Sequence, residues 1–354
     1  MLNKENKVKP FLLTRGLVPE NQETPIHFLG GDLTPASYFY RRNHFRYPLL
    51  THESYYIPIS GCVRTPTIFS FKDILSLPSK TLNVLLECSG EKRAFFHPKV
   101  FGEQWEDGAL SQARWKGVPL RTLIEYTGAT DKAMEVVVEG YDFGTRTDRP
   151  GLFSFARSLP IDKALHPDTL IAYELNGKPI PFKHGYPLRL IVPQWYAMAS
   201  VKWVKKITLI NSHFKGPFQD TDYIYYPHRT NDAGRYPVTT MRVNSTIQQP
   251  LNLAVLGQGV HKIRGIAWTG QGIVSRVEIS VDNGRTWDNA TLHTHPKPYV
   301  WVSWTYNWDV HEKGEYTVLS RAIDSAGNMQ PKQAEWNRKG YGYNAVSDVK
   351  VKIE

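Results

Sequence analysis

The residue with the clearest chemical potential is Cys88. An apolar run, residues 82–86, predicts a buried strand, and Ser89 and Gly90 directly after the cysteine predict a loop at the strand's end. Lys92 and Arg93 follow, and nearby cations favour the thiolate, which is the form of cysteine that attacks electrophiles or binds soft metals. A free cysteine is also often a small buried hydrophobic residue. Taken alone, the pattern leaves both interpretations open.

A second group of polar residues is predicted to meet on one surface. Asn176-Gly177 is typical of a tight hairpin turn, because both residue types tolerate positive φ. His184 and Arg189 follow the turn, and we expect the hairpin to deliver them to a shared surface. Ser200 and Lys202 come shortly afterwards.

Composition narrows the classes of partner. The 354 residues carry a formal net charge of +10, which suits an anionic ligand. No run of five or more basic residues occurs, so nucleic-acid binding is not expected, and no apolar run reaches the roughly 18 residues that span a bilayer. Residues 1–7 are polar where a signal peptide would be apolar, so we expect a cytoplasmic protein, or a periplasmic one if an export signal was removed. The two cysteines, Cys62 and Cys88, are too few to indicate a compartment, and Cys62 is expected to fill a strand.

The order of elements predicts a mixed α+β fold followed by an all-β one. Residues 1–40 show no period and predict an irregular arm, and the strands and short helices after it lack the regular βαβ alternation of a Rossmann fold. Residues 227–240 have the composition of a linker. Short strands separated by turns after residue 240 predict an immunoglobulin-like sandwich without a disulfide. We therefore expect domains at 1–226 and 241–354.

Several motifs, in this order, resemble those of the sulfite oxidase family. The run from Trp105 to Leu120 is similar to W-x-x-G-A-x-x-x-A-x-W-x-G-V-x-L, and residues 172–193 are similar to A-Y-x-x-N-G-x-x-L-P-x-x-H-G-x-P-x-R-x-x-x-P. Residues 42–44 read R-N-H, and residues 200–203 read S-V-K-W. Tyr223 ends a Q-x-x-D-Y element. The resemblance implies a molybdopterin-binding α+β domain and an immunoglobulin-like domain that mediates a homodimer.

The resemblance also implies a role for each site residue. Cys88 would be the protein ligand of molybdenum. Molybdopterin carries a phosphate and polar ring edges, which arginine, lysine, serine and histidine can bind. The residues implied to contact the cofactor are Tyr40, His44, Cys88, His184, Arg189, Ser200 and Lys202. Those implied to form the pocket for a small anionic substrate are Arg42, Arg93, Trp105, Tyr223 and Lys339.

Two positions depart from the family's pattern. Glu91 stands where many members have asparagine, which predicts a negative charge near the cysteine loop. Lys339 stands where a W-N-x-R-G element has its arginine, and lysine keeps the charge but not the bidentate fork. No C-x-x-C-H haem motif occurs, so we expect electrons to pass to a separate acceptor such as a cytochrome.

The sequence supports three functions. The first is oxidation of sulfite, or a related sulfur oxyanion, to sulfate by oxygen-atom transfer at molybdenum. The second is the reverse direction of such chemistry, the reduction of nitrate or a sulfoxide. The third is a non-enzymatic immunoglobulin-like binding protein, for which the ordered set of site residues would be a coincidence.

Overall fold

Strands dominate the part of the chain that the computed structural model describes, residues 11–50, 55–293 and 295–354. Up to residue 237 the strands are β1 (Leu13–Gly16), β2 (Asn21–Glu23), β3 (Tyr56–Gly61), β4 (Thr67–Ser70), β5 (Lys80–Glu87), β6 (Leu110–Pro119), β7 (Glu135–Thr145), β8 (Leu152–Pro160), β9 (Leu170–Leu175), β10 (Lys178–Pro179), β11 (Arg189–Ile191), β12 (Val204–Ile210), β13 (Ile224–Tyr225) and β14 (Tyr236–Pro237). The α-helices are α1 (Phe71–Ser76), α2 (Leu120–Thr127) and α3 (Ile161–Ala164).

Two sheets form the N-terminal part. One has the order β10-β9-β6-β5, with β11 also paired to β9, and the other has the order β4-β3-β12-β7-β8. Their inner strands carry buried apolar residues; Val136, Val138 and Ile207, for example, are fully buried. The β5 end of the first sheet carries Cys88, so this sheet positions the predicted metal ligand.

Local signals in the sequence explain several element ends. Ser70 caps α1 through a capping box with Asp73. Asn176 and Gly177 have φ of 53° and 79°, and they join β9 to β10 as the tight turn that the sequence predicts. The expected irregular arm is only partly irregular, because β1 and β2 pair as a hairpin; residues 1–10 lie outside the described part.

Residues 241–354, which we call the C-terminal module, contain two further sheets. Their strands are β15 (Asn244–Gln249), β16 (Ala254–Leu256), β17 (Gly259–Trp268), β18 (Val274–Ser280), β19 (Asp288–Asn289), β20 (Thr291–Leu292), β21 (Val302–Val310), β22 (Gly314–Asp324) and β23 (Ser347–Ile353). The sheet orders are β15-β17-β21-β20 and β16-β23-β22-β18-β19. One apolar cluster draws on both sheets, including Ile263, Trp304 and Val318. Both cysteines of the chain are free, so this module packs without a disulfide.

The C-terminal module packs directly on the first sheet. Trp268, at the end of β17, is fully buried in the apolar cluster of the N-terminal part and donates its indole N–H to Glu87 Oε2 at 2.9 Å. β14 pairs with β13, so the predicted linker returns to the first domain there. No helix among the described residues has the length and apolarity needed to cross a membrane.

The Glu87 carboxyl at this contact predicts a pH-dependent stability. Burial raises the pKa of Glu87 from 4.5 to about 8. The unfolded carboxyl therefore loses its proton at lower pH than the folded one, and stability falls as pH rises through this window. Glu87→Gln removes this loss of stability at higher pH, because a glutamine side chain does not titrate. Its free energy of unfolding relative to the parent should increase with pH by up to about 1.4 kcal/mol per unit between pH 5 and 8.

Urea unfolding at a series of pH values measures this difference. Glu174→Gln, on β9 of the same sheet, is the control because solvent reaches that carboxyl. A Glu87→Gln difference that stays flat with pH would contradict the assignment of a protonated carboxyl.

Candidate active site

A single pocket collects most of the predicted site residues. It lies where the end of β5 meets the segment 40–44 and the segment 183–202. Nine of the twelve predicted residues line it. The full lining is Tyr40, Arg41, Arg42, Asn43, His44, Cys88, Ser89, Asp142, Phe155, Lys183, His184, Arg189, Ala197, Met198, Ser200, Lys202 and Tyr223. The hairpin at 176–177 does bring His184 and Arg189 together, since Arg189 Nη1 donates to the His184 carbonyl at 3.1 Å.

Cys88 opens the loop that follows β5. Its N–H donates to the Ala109 carbonyl, and its carbonyl accepts from the N–H of Glu91, which closes a tight turn. The thiol is 8% exposed. Burial raises the pKa of Cys88, while Arg42, Arg93 and the backbone N–H of Gly90 lower it. The site thus holds a shielded sulfur beside cations that stabilise its ionised form.

Arg42, His44 and Tyr223 form a hydrogen-bonded chain at the same wall. Arg42 Nη2 lies 3.4 Å from His44 Nδ1, and His44 Nε2 lies 2.6 Å from the Tyr223 hydroxyl. Burial and Arg42 together hold the pKa of His44 well below its usual value, so the ring is neutral. A guanidinium only donates, so Nδ1 accepts and Nε2 donates to the phenol oxygen. The Tyr223 proton is therefore left to point into the pocket.

Tyr223 itself has an unusual backbone. Its φ is +56°, in the left-handed region that non-glycine residues rarely adopt. Burial raises the pKa of Tyr223 well above its usual value, which keeps the phenol protonated. Such strain persists where surrounding packing over-determines it, and it is common at functional sites.

The pocket lining also contains Lys202 and Arg189. Lys202 donates from Nζ to the Arg42 carbonyl at 3.1 Å and to the Asn43 side chain. Burial, with Arg189 nearby, lowers the pKa of Lys202, and burial lowers the pKa of Arg189 to about 10. Ser200 Oγ accepts from the Val192 N–H at 3.1 Å, so this hydroxyl also fixes the segment that carries it.

The donor set fits a molybdenum–molybdopterin group. Among the described residues, Arg189 Nε, Ser89 Oγ and Asp142 Oδ1 are buried without a hydrogen-bond partner. Buried polar groups are normally satisfied, so unpartnered ones in a pocket indicate a ligand that satisfies them. A phosphate suits the guanidinium, the N–H groups of a pterin suit the carboxylate, and a soft metal suits the Cys88 sulfur. No cluster of three or more His, Cys, Asp or Glu suited to a metal occurs among the described residues.

Comparison with known proteins agrees with this geometry. A model of the oxidoreductase molybdopterin binding domain matches residues 44–218, and a model of the Mo-co oxidoreductase dimerisation domain matches residues 235–354. The chain is 31% identical to mitochondrial sulfite oxidase of Mus musculus over 365 residues. The aligned region covers 97% of this chain and 66% of that protein. It is also 31% identical to sulfite oxidase of Arabidopsis thaliana over 361 residues, and that aligned region covers 94% of this chain and 91% of the plant protein. The chain belongs to the sulfite oxidase family.

A solved structure supports the same architecture. The crystal structure of the sulfane dehydrogenase SoxCD from Paracoccus pantotrophus matches with a TM-score of 0.84 and 25% identity, over 99% of this chain and 92% of that chain. The match confirms a mixed, strand-rich fold of the sulfite oxidase type.

Three residues that the family resemblance implies for the pocket lie outside its lining. Arg93 donates to the carbonyls of Glu103, Lys339 and Gly340, and its guanidinium lies 5.2 Å from the centre of the Tyr341 ring. Lys339 donates from Nζ to Asp222 Oδ1 at 3.0 Å. Trp105 is fully buried in the same apolar cluster as Cys88. Their roles in a sulfite oxidase site stay predictions, and Arg93 acts on the Cys88 thiol through its charge.

The negative charge predicted at Glu91 stays a prediction, because the side chain is buried. Glu91 is 1% exposed, its Oε2 accepts from the Ala109 N–H at 2.7 Å, and its Oε1 has no partner among the described residues. Burial, reinforced by Glu23 and Asp107, raises the pKa of Glu91 well above its usual value. Burial therefore disfavours the charged form of this carboxyl beside the cysteine loop.

Asp142 is the clearest site residue that the sequence analysis missed. Its carboxylate lines the pocket and is 4% exposed. Burial raises the pKa of Asp142, and Lys202 lowers it. An acid four residues after the buried run 136–138 was a usable signal, because carboxylates are rarely buried without a function or a partner.

The electrostatics of Cys88 predict the effect of one substitution in cofactor-free protein. Arg42→Met removes the cation that most lowers the pKa of the Cys88 thiol, so the pH profile of its alkylation should move to higher pH. The rate of the Cys88 reaction with iodoacetamide at a series of pH values, in a Cys62→Ser background, measures this profile. Arg41→Met is the control, because Arg41 lines the same pocket but pairs with Glu20. An unmoved Arg42→Met profile would exclude the proposed electrostatic role.

Proposed function

We propose that this chain is a molybdenum-cofactor oxidoreductase that oxidises sulfite, or a related sulfur oxyanion, and passes electrons to a separate acceptor. The observation that carries the proposal is one pocket that is lined by Cys88, Arg42, Tyr223, Arg189 and Lys202 together. The family's relatives named as sulfite oxidases and a sulfane dehydrogenase support the sulfur chemistry.

Each residue of the pocket has a chemical task in this proposal. When bound, the cofactor supplies oxygen-atom transfer with a two-electron change at molybdenum. Cys88 would hold the metal as a thiolate, while Arg189, Lys202 and Asp142 would hold the pterin and its phosphate. Arg42 binds the substrate oxyanion, and its positive charge stabilises negative charge on the oxyanion in the transition state.

Tyr223 serves the substrate side of the pocket. The His44 N–H donates to its oxygen, which fixes the ring and leaves the phenol proton for an oxyanion. The neutral state of His44 keeps this arrangement across the ordinary pH range, because burial holds the pKa of the ring well below its usual value.

Lys339 is proposed to take the place of the family's arginine. Asp222 holds its ammonium group, and Asp222 also pairs with Arg146 Nη1 at 2.7 Å. A point charge recognises an oxyanion less specifically than a guanidinium fork does. The proposal therefore includes related sulfur oxyanions besides sulfite as substrates.

The assembly proposal concerns the C-terminal module. We infer that it is an immunoglobulin-like sandwich that forms a homodimer, with domains at 1–226 and 241–354 and a linker at 227–240. Two facing sheets around one apolar cluster and the match to the dimerisation model at 235–354 support this. A cytochrome is the proposed separate acceptor, and the cytoplasmic location stays a prediction.

Metal analysis tests the cofactor. Protein made in a molybdenum-replete host should contain about one molybdenum per chain, because the thiolate is the metal ligand. Cys88→Ser should lose most of it, whereas Cys62→Ser should retain it as the matched cysteine control. Full molybdenum content in Cys88→Ser would refute the assignment of the ligand.

Steady-state assays test the direction and the substrate. Sulfite oxidation with a dye acceptor should exceed nitrate or sulfoxide reduction with a dye donor by at least about tenfold in kcat/KM, because a basic pocket with a free phenol donor suits a sulfur oxyanion. The opposite ratio would favour the reductase. Molybdenum-free protein with neither activity would favour the non-enzymatic alternative.

A further inference from the structure

The loop that carries Cys88 is held from outside by the C-terminal module. In the Cys88 loop, residues 88–93, the Ser89 carbonyl accepts a hydrogen bond from the Gly342 N–H at 2.8 Å. Arg93 Nε donates to the Lys339 and Gly340 carbonyls, each at 3.2 Å. These contacts join residues about 250 positions apart in the chain. The module therefore contacts the loop at both of its ends.

Lys92 makes the most enclosed of these contacts. Its side chain is 2% exposed, and Nζ donates to Asn244 Oδ1 at 2.8 Å and to the Ser245 carbonyl at 3.0 Å. The ammonium group also lies 5.7 Å from the centre of the Trp268 ring and 3.8 Å from Asp107 Oδ1. All of its close oxygen partners but Asp107 belong to β15, so the side chain points into the module.

The backbone of Lys92 is held by the N-terminal part of the chain. Its φ of +60° is in the left-handed region, and its N–H donates to the Glu106 carbonyl at 2.9 Å. A lysine in this conformation is strained unless its surroundings fix it. The buried ammonium contacts supply that constraint, because leaving a buried cation unpaired costs more than the backbone strain.

We propose that Lys92 is a positioning residue whose ammonium group fixes the Cys88 loop against the C-terminal module. The module then sets the position of the sulfur as well as the dimer contact. Lys92 was expected from the sequence to stabilise the thiolate by its charge, but its partners lie on β15. This inference rests on the proposed role of Cys88 as the metal ligand.

The test uses the thiol of cofactor-free protein, so it does not depend on molybdenum. Protein is made in a host without molybdopterin, in a Cys62→Ser background that leaves Cys88 as the reporting thiol. Lys92→Met keeps the length of the side chain and removes the hydrogen-bond donor. Iodoacetamide should then react with Cys88 at least five times faster than in the parent, because the loop opens more often.

Lys163→Met is the matched control. Lys163 Nζ also donates to a backbone carbonyl, that of Pro193 at 3.1 Å, and also lies 5.7 Å from the centre of a tryptophan ring, Trp195. It has no contact with the Cys88 loop in the described structure. In Lys163→Met, the alkylation rate of Cys88 should stay within twofold of the parent. This should hold even if the thermal midpoint of Lys163→Met falls as far as that of Lys92→Met.

The sign of the change separates two roles. A faster reaction in Lys92→Met supports positioning. A slower reaction would mean that Lys92 acts by stabilising the thiolate, and an unchanged rate, or an equal rise in the control, would also overturn the proposal. Asn244→Ala removes the side-chain acceptor of the Lys92 ammonium group, and it replaces Lys92→Met in the test if Lys92→Met does not fold. Absence of molybdenum from loaded protein would refute the proposed function while leaving this result intact.

Amide hydrogen exchange gives a second readout. The Glu91 N–H donates to the Cys88 carbonyl, and the Arg93 N–H to the Gly90 carbonyl. Both should exchange at least five times faster in Lys92→Met, with amides of β9 unchanged. Equal acceleration in β9 would mean general destabilisation and would overturn the assignment.

Discussion

The pocket depends on an imbalance of buried charge. Arg42, Arg189 and Lys202 all line it, and Asp142 is the one acid in its described lining. Burying cations without counter-charges is costly, and burial accordingly lowers the pKa values of Arg189 and Lys202. A phosphate-bearing cofactor and an anionic substrate would relieve that cost. The fold therefore has to hold these cations together before the ligand arrives.

Much of the site could be predicted from the sequence because its residues lie in ordered motifs with local signals. The turn at Asn176-Gly177 and the loop after β5 follow from backbone preferences alone. Those signals place Cys88 just after β5 and bring His184 and Arg189 in after the β9–β10 turn, and the family motifs then group the three residues into one site. In the fold, the strand predicted at 82–86 is confirmed within β5.

The sequence did not predict properties that depend on packing between distant segments. Glu91 was expected to add a negative charge, but burial, Glu23 and Asp107 raise the pKa of its carboxyl, and no local pattern reveals that environment. Lys92 and Arg93 were treated alike as cations beside a thiol. In the structure Arg93 lowers the pKa of Cys88, whereas Lys92 turns towards Asn244 in the C-terminal module. Which way a long side chain points is decided by tertiary contacts, not by its position in the chain.

These contacts give the C-terminal module a second task. Its core is separate from that of the N-terminal part, yet Trp268, Tyr341 and the 339–342 segment pack against the Cys88 loop or the strand before it. A metal ligand on a loop is imprecise unless the loop is supported, since small displacements of a ligand change coordination geometry. A module that both dimerises and supports the loop would couple the dimer contact to the sulfur's position. Separating the two modules would then disturb the site even if every residue lining the pocket were left in place.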